Sequence, residues 1–132
     1  MQSKASVASN FPLVSCFFSD SGYGRSFLVK RVEWGARPSP KFVPLATPVD
    51  NVIIHHTAGD ASTTPSANAS AVRYQQRQHI DHQGQMACFE YDALVAEYGK
   101  AYEGRGWTAQ GQHTADLDKN SIGMLTIASH WF

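Results

Sequence analysis

Little in this chain points to a ready-made chemical framework. There are two cysteines in 132 residues, Cys16 and Cys88, too far apart in sequence to define a disulfide scaffold, and they read as ordinary free thiols. No CxxC or HExxH pattern occurs, so no metal site announces itself by spacing. Charge of one sign is also missing. Eleven basic residues balance eleven acidic ones, which gives no support to a nucleic-acid or membrane-surface partner. No apolar run approaches the roughly 20 residues that span a bilayer. The short patch PLVSCFF near the N-terminus is broken by Ser15 and has no small-residue cleavage site behind it, so it falls short of a signal peptide. Internal repeats are absent.

What is present suits one domain, with 42% hydrophobic residues. Residues 1–27 are rich in Ser and Gly without sustained periodicity and read as a poorly ordered leader. The domain runs over 28–132. Asn51 to Thr57 (NVIIHHT) is short, β-branched and apolar, and reads as a buried central strand. A helix is expected from about Pro65 to Asp81, with Thr64 as N-cap, Pro65 at the first helical position and Gly84 as the stop. Tyr91 to Glu97 and Ala101 to Glu103 make a hairpin around Tyr98-Gly99-Lys100. A loop over Gly104 to Asn120 then leads to a last strand, Ser121 to Ala128. The order β-α-β-β-loop-β gives an α/β domain with a mixed central sheet flanked by helices.

That last strand should be buried, yet the chain ends at His130-Trp131-Phe132 with nothing left to cover it. The domain is therefore expected to lack a C-terminal covering element, and apolar surface is expected around Met124, Leu125 and Ile127.

Six histidines are the chief reservoir of chemistry. His55 and His56 are adjacent in a strand and point to opposite faces, so they cannot chelate one ion. At most one faces a site, with Ile53 and Thr57 or with Ile54 and Ala58. His79 and His82 stand at i, i+3 near the helix end and can share a face. Taken alone, these residues give a weak metal signal, and a strand histidine is ordinarily a hydrogen-bonded core residue.

VEWGARP, VIIHHTAG, VR…HIDHQG, YDALVAEYGKAYEGRGW and GQH…NSIG occur in this order at natural spacing. Together they resemble the peptidoglycan recognition protein family, whose fold is shared with zinc-dependent N-acetylmuramoyl-L-alanine amidases of the type-2 class. The match runs from about Leu28 to Ile127. The resemblance implies that His55 is a zinc ligand and that Tyr91, beside the metal, assists amide cleavage. It implies a ligand groove to which Arg73, Tyr91, Arg105, Trp107 and His113 contribute, with His56 and Thr57 beside His55. Arg73 is read as structural, tied to a nearby carboxylate or carbonyl. The implied partner is bacterial peptidoglycan through its muropeptide stem, and the implied location is extracellular. Arg, His and Tyr donors with an aromatic platform suit stem-peptide carboxylates and sugar faces.

The departures carry weight too. The family's other two zinc ligands stand in GHR and CPG motifs, and neither motif occurs in the chain. One imidazole cannot hold Zn²⁺, so the chain is expected to bind zinc only transiently, if at all. The family's C-terminal helix has no counterpart, and QMACFE replaces the segment the family places before Tyr91. Three readings stand: a recognition module, a zinc amidase, and an inactive truncated isoform.

Overall fold

The computed structural model describes residues 6–9, 27–39, 41–58, 63–82 and 91–128. Six strands form one mixed sheet: β1 (Ser6–Ser9), β2 (Leu28–Val29), β3 (Asn51–Ala58), β4 (Ala93–Ala96), β5 (Ala101–Glu103) and β6 (Ser121–Ala128). Their spatial order is β1-β3-β6-β4-β5-β2. β3 and β6 lie parallel over eight paired positions, Asn51 against Ser121 through Ala58 against Ala128. β4 is parallel to β6 and antiparallel to β5, which closes the expected hairpin. β1 runs antiparallel along the first half of β3, within the stretch read from sequence as leader.

Among the described residues two α-helices accompany the sheet, α1 (Arg31–Trp34) and α2 (Pro65–Arg77). Thr64 caps α2 as its sequence implies: the Ala67 N–H donates to its hydroxyl at 3.4 Å, and Pro65 opens the first turn, where a missing N–H costs nothing. The buried side chains Asn68, Val72, Gln76 and His79 recur at helical spacing and define the face that meets the sheet. The α-helix ends at Arg77, and Gln78–His82 continue as wider π-type turns. The expected stop, Gly84, lies outside the described residues, as do Cys16, Cys88 and His130.

α1 is a single turn, closed by Gly35 at φ 72°, a left-handed position that glycine adopts without a Cβ penalty. It delivers Trp34 into the core, 1% exposed, with the indole N–H donating to the Glu103 carbonyl at 3.0 Å. Trp34, Val72, Tyr91, Leu94, Ala96, Tyr102, Leu125 and Ile127 form one cluster between sheet and helices. Arg73 ties this layer together, as its structural reading requires: its guanidinium donates to the Trp34 carbonyl and the Ser70 hydroxyl, both at 3.0 Å.

Two expectations are corrected. The strand expected from Tyr91 begins at Ala93, because the Tyr91 and Asp92 carbonyls turn toward the Gly104–Gly106 backbone instead of continuing the ladder. The expected apolar surface also divides. Leu125 and Ile127 are buried in the core, while Met124, one residue away from Leu125 and so on the opposite face, is partly exposed with Ile54, His56 and Thr126.

Candidate functional site

His55 sits in the middle of β3 on the face turned toward α2 and is 2% exposed. Its Nε2 lies 3.2 Å from Nδ1 of His113 and 3.3 Å from the Thr114 hydroxyl oxygen. That hydroxyl is in turn 3.2 Å from His113 Nδ1, so three polar atoms form a near-equilateral triangle. His113 and Thr114 come from the long loop between β5 and β6. One carboxylate oxygen of Asp118 fixes them, accepting the His113 N–H at 2.9 Å and the Thr114 N–H at 2.7 Å. The same oxygen stands 3.7 Å from His113 Nε2. Opposite, Gly123 on β6 leaves the room the ring needs, because a Cβ there would overlap the His113 imidazole.

Tyr91 completes the cluster. Its ring centre lies 5.2 Å from that of His55, 5.6 Å from that of His79 and 6.2 Å from that of His113. The backbone around it is unusually well held. The Tyr91 carbonyl accepts the Arg105 N–H at 2.9 Å, and the Asp92 carbonyl accepts the N–H groups of Gly104 at 2.9 Å and Gly106 at 3.2 Å. Gly106 takes φ 83°, and a Cβ on Gly104 would strike the Tyr91 carbonyl. The Gly-Arg-Gly turn thus serves as the floor beneath Tyr91. Asp92 then clasps β6: its N–H donates to the Gly123 carbonyl at 2.9 Å, and its Oδ2 accepts the Gly123 N–H at 2.7 Å.

Burial governs the electrostatics here. His79 is pushed down to about 4 by loss of hydration. His113 is also pushed down to about 4, by burial first and by His55, against the opposing pull of Asp118. Burial lowers His55 as well. All three rings are therefore neutral at physiological pH. The Asp92 carboxyl is driven the other way, up to about 7, because burial outweighs its bond from Gly123 and the Arg105 charge. Its Oδ1 is buried with no hydrogen-bond partner among the described residues.

Of the residues singled out from sequence, the fold brings His55, Tyr91 and His113 into one cluster. Thr57 shares the His55 face, two residues along β3, and its hydroxyl is buried. His56 is half-buried on the opposite side, level with Thr126. Arg105 and Trp107 are half-buried in the loop that supports Tyr91. Sequence reasoning missed Thr114, Asp118 and Asp92. The only signal for Asp118 was an acidic residue four positions after a threonine in a loop, a common turn arrangement.

Among the described residues, no three His, Cys, Asp or Glu side chains are placed to hold a metal ion. The His55 corner by itself suits a metal: the ring is neutral, Nε2 is held by its neighbours, and Nδ1 is buried without a hydrogen-bond partner among the described residues. A stable mononuclear zinc site needs three such protein donors.

Comparison with known proteins is consistent with this architecture. The family model described as "Amidase_2: N-acetylmuramoyl-L-alanine amidase" matches residues 45–130. "Peptidoglycan recognition protein 1" of Mus musculus is 39% identical over 105 residues, 79% of this chain and 57% of that protein. "Peptidoglycan-recognition protein SC2" of Drosophila simulans is 33% identical over 103 residues, 78% of this chain and 55% of that protein. The chain thus spans little more than half the length of these curated relatives. Among solved structures, human PGRP-IβC in complex with glycosamyl muramyl pentapeptide superposes with TM-score 0.72 and 32% identity, covering 76% of this chain and 60% of that one. The ectodomain complex of peptidoglycan recognition proteins LCa and LCx bound to tracheal cytotoxin gives TM-score 0.72 and 33% identity, over 76% and 61% of the two chains.

Proposed function

Because the chain belongs to the N-acetylmuramoyl-L-alanine amidase family, we propose that it recognises bacterial peptidoglycan through the muropeptide stem and binds it without cutting it, in innate immune sensing outside the cell. The observation that supports this reading is the His55–Tyr91–His113 cluster, which brings three of the proposed site residues within ring contact of one another. His113, Thr57, His56, Arg105 and Trp107 are the groups proposed to meet the ligand, with Arg105 offering a guanidinium to stem carboxylates and Trp107 an apolar face to sugar. Zinc is the cofactor of the family. In this chain His55 would hold it, and the sequence supplies neither a GHR histidine nor a CPG cysteine beside it.

The alternative is a zinc amidase that hydrolyses the bond between N-acetylmuramic acid and L-alanine. Its supporting observation is Tyr91 beside His55, where a phenol can donate to the oxygen that becomes negative as the amide is attacked. Bound zinc would supply the activated water for that chemistry.

Sedimentation with insoluble peptidoglycan, combined with chromatography of the supernatant for released stem peptides, separates these readings. Co-sedimentation without release is expected. Release that a chelator abolishes would establish the amidase, and absence of both would leave a domain that neither binds nor cleaves peptidoglycan.

A further inference from the structure

The Gly104–Gly106 turn is gripped twice. Its three N–H groups donate to the Tyr91 and Asp92 carbonyls. Its Gly104 carbonyl is taken by Arg31 at the start of α1, which donates Nη1 to it. The Arg31 N–H also donates to Glu103 Oε2 at 3.1 Å, beside the bond from the Trp34 indole to the Glu103 carbonyl. The other arm of the same guanidinium, Nη2, donates to the Arg37 carbonyl. Arg37 is in turn fastened to α2. Its N–H donates to Gln76 Oε1 at 2.9 Å, its carbonyl accepts from Gln76 Nε2 at 3.0 Å, and its guanidinium pairs with Asp81 at 2.8 Å. Gln76 is buried, and Asp81 lies in the Gln78–His82 turns that carry His79 against Tyr91.

We propose that Arg31 is a positioning residue: its guanidinium spans the two segments that flank Tyr91, the Gly104–Gly106 turn and the end of α2, and so fixes where Arg105 stands toward a muropeptide. The ligand named here rests on the recognition reading above, and the brace does not depend on it. Arginine suits this task because its planar fork serves two acceptors at once. A lysine ammonium on a flexible stem cannot hold two separated carbonyls in one geometry. Both bonds are charge-assisted, and Arg31 is half-buried with its guanidinium carbon 5.8 Å from the Trp34 ring centre. Burial lowers the Arg31 pKa first, Glu103 opposes this, and the Arg105 charge adds to it. Two like charges are thus held near one turn, a cost that Glu103 and the carbonyl bonds offset. Arg31 acts on the ligand only through the Gly104 carbonyl, one peptide away from Arg105.

The brace can be measured with no ligand present, so it and peptidoglycan recognition fail separately. In ¹H–¹⁵N spectra of the full wild-type chain at low temperature, the Arg31 Nη hydrogens should resolve into separate signals, because bonding at both arms stops rotation of the guanidinium. One averaged signal overturns the proposal, whatever any variant does. Arg31→Lys keeps the charge and removes the fork. Hydrogen exchange at the Gly104, Arg105 and Gly106 amides should then speed up about tenfold, the effect of losing one charge-assisted hydrogen bond, while the β3 and β6 amides keep their rates. Unchanged exchange in the turn overturns the brace. So does an equal rise in β3 and β6, which is what general destabilisation gives. Binding of muramyl pentapeptide should weaken about tenfold in Arg31→Lys, and no further when that change is added to Arg105→Ala. Additive losses overturn the action through Arg105. A wild-type chain that does not bind the pentapeptide refutes peptidoglycan recognition, and the spectra and exchange rates still decide the brace.

Discussion

Replacing Asp92 by Asn should change the pH dependence of stability strongly. Asp92 is fully buried, bonded through Oδ2 to the Gly123 N–H, and its carboxyl is raised from 3.8 to about 7. A carboxyl that is harder to ionise in the folded chain contributes stability that is fully present below the unfolded value and lost as pH rises through the folded one. The loss therefore accumulates between about pH 4 and pH 7. A rise of about three units corresponds to about 4 kcal/mol, using 1.36 kcal/mol per unit. Asn retains a carbonyl to accept from Gly123 and cannot ionise, so the variant escapes this loss. Wild-type behaviour alone would not reveal it, because His79 and His113 act in the opposite direction. Their lowered values contribute stability that is present above about 6.5 and lost as pH falls through about 4. The difference between wild type and Asp92→Asn cancels those shared contributions. Urea unfolding of both proteins at half-unit steps from pH 4.5 to 8 should give a difference that grows in favour of the variant by several kcal/mol and then levels off above pH 7. Parallel curves across that range would refute the assignment of a buried carboxyl that resists ionisation.

Two further outcomes follow from the same geometry. Gly123→Ala places a methyl group against the His113 ring and should cost about 1–3 kcal/mol while displacing the His113–His55 contact, seen as a lowered Tm and altered imidazole resonances. An unchanged Tm would mean that the ring does not lie over β6. Protein purified and dialysed without chelator should carry well under one zinc per chain by metal analysis, since no three His, Cys, Asp or Glu side chains among the described residues are placed to hold the ion. One zinc retained per chain would show that other side chains complete the site.

Local pattern explains which parts of the fold were readable. The β-branched run Asn51–Thr57 and the run Ser121–Ala128 became the paired central strands because an apolar, branched segment bounded by turn residues has few other stable uses. Thr64-Pro65 marked the start of α2 because capping chemistry is local. Alternation already forbade His55 and His56 from sharing an ion, and the sheet places them on opposite faces. The start of β4 was misread because long-range bonds from Gly104, Arg105 and Gly106 redirect the Tyr91 and Asp92 carbonyls, and such bonds leave no trace in the YDALV run itself.

For this protein, then, the amino-acid sequence alone determined β3 to β6 and α2 but not β1, β2 or α1, the family through its motifs, and the identity of His55, Tyr91 and His113 as candidates. Each of these rests on short-range periodicity, capping or an ordered set of motifs. The tertiary structure alone decided that Thr114 and Asp118 stand beside His55 and His113, and that Asp92 is a buried acid whose carboxyl resists ionisation. Those properties come from groups 30 to 60 positions apart meeting where water is excluded. Burial shifts their protonation, and burial is set by the packing of distant segments and not by the local order of residues.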